Sequence, residues 1–157
     1  MLATILFAGC QKKQIKPILV FESDFTLFYN DMQIKGELFC KDDNSIKINV
    51  TTPKTLNGLK IEAKDNNFNA EYNGIKVNYS KDDLPNGAFF KLILISLENI
   101  LNTENLQFEE IDDKFVAVKK STLGDINFTL NKNMFIEKIE IPNQSFNIKF
   151  KPKATLN

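Results

Sequence analysis

Apolar and polar residues alternate with a period of two along most of the chain after Ile18. Phe21, Phe25 and Leu27 fall on one parity, and the run from Ile46 to Val50 repeats the pattern. Because successive side chains of a β-strand point to opposite faces, each run would line one face of a half-buried strand. Turn residues separate the runs, and Asn73-Gly74 is typical of a tight hairpin. The spacing predicts about eleven antiparallel strands, arranged as meanders.

A single segment breaks this alternation. Residues 88–102 follow capping and helix-breaking residues and are predicted to form the one clear helix. Lys91, Glu98 and Asn102 would lie on one narrow stripe of its surface, and the remaining surface is apolar. We therefore expect a mainly β fold with one inserted helix, in which an antiparallel curved sheet forms a half-barrel around the hydrophobic helix. The half-barrel is either filled by the helix or leaves apolar surface open for a ligand.

The composition excludes most catalytic chemistry. The chain has 20 basic residues, all lysine, and no histidine or tryptophan, so it offers neither an imidazole base nor a histidine-liganded zinc site. The formal net charge of +0 gives no electrostatic reason to expect nucleic acid as a partner. Acidic pairs such as Asp42-Asp43 favour solvated turns over calcium or hydrolase sites. We expect a protein that is not an enzyme, with no catalytic residues, no metal and no cofactor.

The amino-terminal segment predicts a lipid anchor. Residues 1–9 are uncharged and mostly apolar, and the composition changes sharply after Cys10. The run Leu6-Phe7-Ala8-Gly9-Cys10 resembles the bacterial lipoprotein box, in which a signal peptidase cuts before a cysteine that is lipidated on its sulfur. This resemblance implies a protein outside the cytoplasm, anchored through Cys10 to a bacterial membrane on the cell surface or the periplasmic side. The alternative is that residues 1–10 belong to the folded core.

The predicted organisation has four parts. Residues 1–10 form the remnant of a lipoprotein signal with the lipidated cysteine, residues 11–17 a tether, residues 18–151 the half-barrel domain and residues 152–157 a tail. Cys40, the second cysteine, shares the strand parity of Ile34 and Leu38 and is predicted to be a small core hydrophobe.

Short motifs within residues 18–151 carry a resemblance to a known superfamily. They are Gly36-Glu37-Leu38, Glu71-Tyr72-Asn73-Gly74, Asn127-Phe128-Thr129-Leu130 and Ile139-Glu140-Ile141. With the order of six strands, one helix and five strands, they resemble the lipoprotein-localisation superfamily of half-barrels, the LolA/LolB-like fold. The resemblance implies a hydrophobic cavity that holds acyl chains. The soluble carrier of that superfamily holds its lid with an arginine, which this chain lacks, so an anchored lipid-binding or sensing role suits it better.

The candidate ligand-binding residues are apolar or tyrosine side chains on the helix or on the predicted inner strand face. They are Phe25, Leu27, Ile34, Leu38, Ile48, Ile61, Tyr72, Val77, Tyr79, Phe89, Phe90, Ile93, Phe128 and Phe146. The predicted function is to bind a lipid or other amphiphile in a cavity between the sheet and the helix. The alternative is a non-catalytic interaction module of the cell envelope, in which the barrel is filled and an envelope protein is the partner.

Overall fold

In a computed structural model of the protein, which describes residues 13–85, 88–101 and 106–154, one antiparallel sheet of 12 strands accompanies one α-helix. The strands are β1 (Lys13–Gln14), β2 (Phe21–Tyr29), β3 (Met32–Cys40), β4 (Ile46–Thr52), β5 (Lys60–Lys64), β6 (Asn67–Tyr72), β7 (Ile75–Ser80), β8 (Gln107–Ile111), β9 (Lys114–Ser121), β10 (Gly124–Leu130), β11 (Ile136–Ile141) and β12 (Phe146–Ala154). The helix, α1, is Phe89–Leu101, and 3₁₀ turns occur at Lys81–Asp83 and Pro142–Gln144. The predicted fold class, mainly β with one inserted helix, is confirmed.

The strand order joins two meanders into one curved, open sheet. It runs β1-β8-β9-β10-β11-β12-β2-β3-β4-β5-β6-β7, so the meanders before and after α1 meet where β12 pairs with β2. Within the described residues β1 and β7 are the two edges and do not pair with each other. The sheet therefore does not close into a barrel, and its inner face needs another element to cover it.

Several hairpins have the tight geometry that their sequences favour. Asn73 and Gly74 have φ of +50° and +80°, and they connect Tyr72 directly to its cross-strand partner Ile75. Two central residues with positive φ define a type I′ turn, which matches the right-handed twist of the strands. The predicted Asn73-Gly74 hairpin is confirmed.

The core lies between the inner face of the sheet and α1. Leu92, Ile93, Leu94, Leu97 and Ile100 of the helix are buried in one cluster with the inward side chains of the strands. At about 25 cal/mol per Å² of apolar surface, this burial is the main term that stabilises the helix, which is short for independent stability. The helix therefore serves as the cover for the open sheet.

Contacts of the helix side chains show how α1 crosses the sheet. Near its start, the ring of Phe90 stacks on Phe68 of β6, with centroids 4.8 Å apart. Near its end, Leu97 lies with Phe21 of β2 and Cys40 of β3 around a small cavity. The helix thus runs obliquely from the β6 side of the inner face toward β2 and β3.

β3 carries an irregularity at Gly36. The register between β3 and β4 shifts between Lys35 and Gly36, and the ring of Phe25 on β2 lies over the glycine. A bulge of this kind bends a strand and increases the local twist. A glycine covered by an aromatic ring on the neighbouring strand is a common way to introduce sheet curvature.

The folded region begins earlier in the chain than the sequence indicates. Lys13 and Gln14 pair with Phe108 and Gln107 of β8, and Pro17 is buried. The sheet therefore starts inside the segment assigned to a tether, and β12 continues past residue 151. Cys10 and the predicted signal remnant lie outside the described residues. None of the helical segments in the described ranges has the length and apolarity that a membrane crossing requires.

Candidate functional site

Most of the predicted ligand-binding residues are buried in the core. Their side chains retain no more than 2% of their accessible surface. They are Phe25, Leu27, Ile34, Leu38, Ile48, Ile61, Ile93, Phe128 and Phe146. The cavity beside Leu97, Phe21 and Cys40 has a volume of about 10 Å³, which is the space of a single water molecule. Side chains of α1 thus fill this part of the inner face.

The remaining predicted residues lie together at the β7 end of the sheet, where the helix begins. They are Tyr72, Val77, Tyr79, Phe89 and Phe90, and all are partly or largely exposed. Cross-strand pairing puts Tyr79 opposite Phe68 and Val77 opposite Ala70, so these side chains share the inner face. Phe90 stacks on the buried ring of Phe68, which is itself opposite Tyr79, so the start of the helix packs beside the inner faces of β6 and β7.

We call this surface the open end and define it as Ile75, Val77 and Tyr79 of β7 with Phe89 and Phe90 of α1. The three β7 side chains are 69%, 37% and 47% exposed. Phe89 contacts Phe90 edge to face, with ring centroids 5.3 Å apart. Isolated apolar residues are common on protein surfaces, whereas a contiguous apolar patch marks an interaction site.

Ile75 is the member of the open end that the sequence-based candidates omit. Tyr72 and Ile75 are directly opposite each other in the β6–β7 ladder, and Ile75 shares the parity of Val77 and Tyr79. Its parity alone could have identified it as an inner-face residue. Its exposure could not be foreseen, because that depends on where α1 begins.

A polar cleft borders the open end. Its volume is about 440 Å³, and it lies between α1 and the adjacent ends of β4 and β5. Leu94 and Ala63 form its apolar wall next to the open end, because Leu94 follows Phe90 by one helical turn and Ala63 is opposite Phe68. On its polar side, the Lys81 ammonium group contacts a Glu98 carboxylate oxygen at 2.5 Å. An apolar surface and a charged cleft are thus adjacent along one side of the helix.

The same cleft has a second ion pair near its rim. Lys64, which lines the cleft, donates to a carboxylate oxygen of Asp43 at 2.8 Å, and the backbone N–H of Ser45 donates to the other oxygen at 3.1 Å. The hydrogen bond from Lys64, followed by those from Ser45, lowers the pKa of Asp43, and the same contact raises the pKa of Lys64. Both groups therefore stay charged over the physiological range.

In the part of the chain that the structure describes, the acidic pairs and Cys40 do not form a metal or catalytic site. Asp112 and Asp113 both have positive φ in the β8–β9 turn, as expected for solvated turn residues. Within the described residues, no group of cysteine, aspartate and glutamate is arranged to hold a metal ion. Cys40 is buried and unpaired, and burial raises the pKa of its thiol to about 12. The predicted core position of Cys40 is confirmed.

The geometry defines an open antiparallel half-barrel with an apolar helix on its inner face. No protein-family model matches the chain, and no curated protein matches it. A search of solved structures returns the crystal structure of LolA superfamily protein NE2245 from Nitrosomonas europaea, at 14% sequence identity and a TM-score of 0.36. The match covers 76% of this chain and 61% of that chain. The fold described above rests on the strand pairing alone.

Proposed function

We propose that the protein is a membrane-anchored extracytoplasmic lipoprotein that binds an acyl chain or another amphiphile at the open end. The observation that carries this proposal is the exposure of three apolar side chains on the inner face of β7, Ile75, Val77 and Tyr79, at the end of the sheet where the partly exposed Phe89 and Phe90 begin the helix. Apolar walls with few polar groups are typical of sites for hydrophobic ligands. The proposed role is binding without catalysis, and no cofactor takes part.

The adjacent cleft supports an amphiphile rather than a purely apolar ligand. An acyl chain against Phe90, Val77 and Tyr79 would place its polar head beside the Lys81–Glu98 pair in the cleft. That cleft holds both signs of charge, so it can take a zwitterionic or polar head group without leaving a charge unpaired. The open end would bury the chain while the head group stays in contact with water.

The test is native mass spectrometry of the Cys10→Ser chain purified without detergent, followed by organic extraction of bound molecules. We expect a stoichiometric amphiphile on this chain and its loss in Val77→Lys, which puts a charge on the inner face. Asn78→Lys is the matched control, because Asn78 is the next residue of the same exposed strand and its side chain lies on the opposite face. Amphiphile binding would be refuted if the spectrum showed only the mass of the unliganded chain, both as purified and after fatty acids and phospholipids are added.

Membrane anchoring requires its own test. In cells that process lipoproteins, Cys10→Ala is expected to move the protein from the membrane fraction to the soluble fraction. Cys40→Ala is the control, since Cys40 is buried and cannot carry the lipid. Retention of the Cys10→Ala chain in the membrane would contradict the proposed anchor.

The filled centre of the half-barrel favours a second candidate, an interaction module of the cell envelope. The cavity next to Leu97 has only about 10 Å³, and the inward strand residues around α1 are buried. In this case an envelope protein, rather than a lipid, would cover the open end. Val77→Lys and Asn78→Lys would then differ in binding of that protein while neither chain carries lipid.

A further inference from the structure

The two edges of the sheet are protected to different extents. At one edge, β1 has only two residues, and Lys13 forms an ion pair with Glu110 at 2.7 Å. At the other edge, β7 has six residues, contains no proline and pairs with β6 without a register shift. Within the described residues, β7 has no strand on its outer side. Its one charged residue, Lys76, forms an ion pair with Glu71 of β6 at 3.5 Å. A regular edge strand of this length is a template for another strand.

The turn before β7 determines which of its backbone groups point outward. In the type I′ turn at Asn73-Gly74, the C=O of Tyr72 accepts from the N–H of Ile75. Backbone hydrogen bonds alternate in an antiparallel ladder, so Ile75, Val77 and Tyr79 bond to β6. Lys76, Asn78 and Ser80 therefore direct their N–H and C=O groups away from the sheet.

We propose that the β7 edge pairs antiparallel with the β7 edge of a second copy of this chain, around a two-fold axis at Val77. In this register, Val77 is opposite the partner's Val77, and Ile75 is opposite the partner's Tyr79. The backbone groups of Lys76 meet those of the partner's Asn78. The interface is isologous, because each contact occurs twice. This inference goes beyond the proposed ligand binding and does not depend on it.

Charge and polarity favour this register over the two alternative registers, which are centred on Lys76 and on Asn78. Pairing centred on Lys76 would put that lysine directly opposite the partner's Lys76, and like charges directly opposite are destabilising. Pairing centred on Asn78 would put Ile75 opposite the partner's Lys81, which is already paired with Glu98 in its own chain. The register centred on Val77 pairs every exposed apolar residue of β7 with an apolar residue.

The register can be tested by disulfide formation. Residues opposite each other in a non-hydrogen-bonded pair have Cα atoms about 4.5 Å apart, which a disulfide can bridge. In the full chain with Cys10→Ser, mild oxidation of Val77→Cys should give a covalent dimer. Lys76→Cys and Asn78→Cys should give no covalent dimer, because neither residue is opposite its own copy across the two-fold axis. Cys40 is buried and does not compete. A dimer from Asn78→Cys, or equal yields from all three variants, would overturn the proposed register.

A measurement without oxidant tests the association itself. We expect the Cys10→Ser chain to sediment as a concentration-dependent dimer and Asn78→Pro to sediment as a monomer. Proline removes an outward N–H that β6 does not use, and edge strands tolerate proline at such positions. Far-UV circular dichroism serves as the folding control. A parent chain that stays monomeric at about 1 mM would refute the dimer. Sedimentation reports association of chains and not bound ligand, so that result would leave amphiphile binding to be judged by mass spectrometry alone.

Discussion

Replacing Gly36 with alanine would place a methyl group inside the pairing of β3 with β4. A Cβ at this position would lie 2.1 Å from the backbone carbonyl oxygen of Asn49 and 3.0 Å from a ring carbon of Phe25. The ring could adjust, but the carbonyl oxygen is fixed by the strand. The two strands would have to separate locally by roughly 1 Å to restore an ordinary contact.

The expected cost is at the upper end of the range for overpacking in a core, about 3 kcal/mol. That is a large part of the 5–15 kcal/mol by which domains of ordinary size are stable. With a urea dependence of about 2 kcal/mol per M, the midpoint of unfolding should fall by about 1.5 M. Because the chain has no tryptophan, far-UV circular dichroism is the appropriate probe.

Lys35→Ala is the matched control for this substitution. Lys35 is the preceding residue of β3 and is exposed, so its loss should change the midpoint very little. If Gly36→Ala unfolds at the same urea concentration as the parent chain, β3 does not approach β4 closely at this point. The proposed origin of the strand's bend would then be wrong.

The remaining predictions concern packing, thiol chemistry and pH. Phe90→Ala should lower the free energy of unfolding by about 1–3 kcal/mol in urea titrations, because it removes a half-buried ring stacked on Phe68; an unchanged midpoint would contradict that stack. In the Cys10→Ser chain, Cys40, with its pKa raised to about 12, should resist iodoacetamide at about pH 8 until the chain unfolds, as followed by mass spectrometry; alkylation of this native chain would refute the burial of Cys40. Since Lys64 lowers the pKa of Asp43, the carboxylate stabilises the fold above its ordinary pKa, and this contribution disappears as the pH falls through the native pKa. The difference in free energy of unfolding between the parent and Asp43→Asn should therefore be constant between about pH 5 and 8 and decrease at lower pH. A difference that does not change with pH would exclude this ion pair.

Much of the fold follows from local patterns that the sequence displays. The alternation of Phe21, Phe25 and Leu27 specifies an inward strand face, and Asn73-Gly74 specifies a hairpin. These local patterns predict the structure correctly because the conformation that each segment prefers is also the one that its tertiary surroundings require. The position of the helix could also be predicted, because its wide apolar surface must be buried and the inner face of the sheet is the apolar surface that can bury it.

Other elements depend on contacts that no local pattern records. Lys13 and Gln14 are polar and show no alternation, and they become a strand only because β8 provides a partner. In β11 the chain buries both Ile136 and Ile139, because the ladder with β10 slips by one residue at Leu130. A bulge changes the parity of a strand without a clear sign in the sequence.

The candidate site could be predicted only as a set of inward-facing residues. Sequence parity places Phe25 and Tyr79 on the same face, yet the first is 2% exposed and the second 47%. The difference arises from the length and path of α1, which covers the middle of the sheet and begins at Phe89, beside β6. Whether an apolar face is filled or open is decided by tertiary packing, which periodicity does not describe.

The junction of β2 with β12 has a consequence for how the chain can fold during synthesis. These strands lie side by side in the middle of the sheet, yet Tyr29 and its partner Phe146 come from opposite ends of the described chain. Such a non-local pairing has a high loop-closure cost and forms late. The first meander therefore has no neighbour on its β2 side until the last strand has left the ribosome. Local hairpins such as β6–β7 can form earlier, but the core between the sheet and α1 is completed only when β12 joins β2.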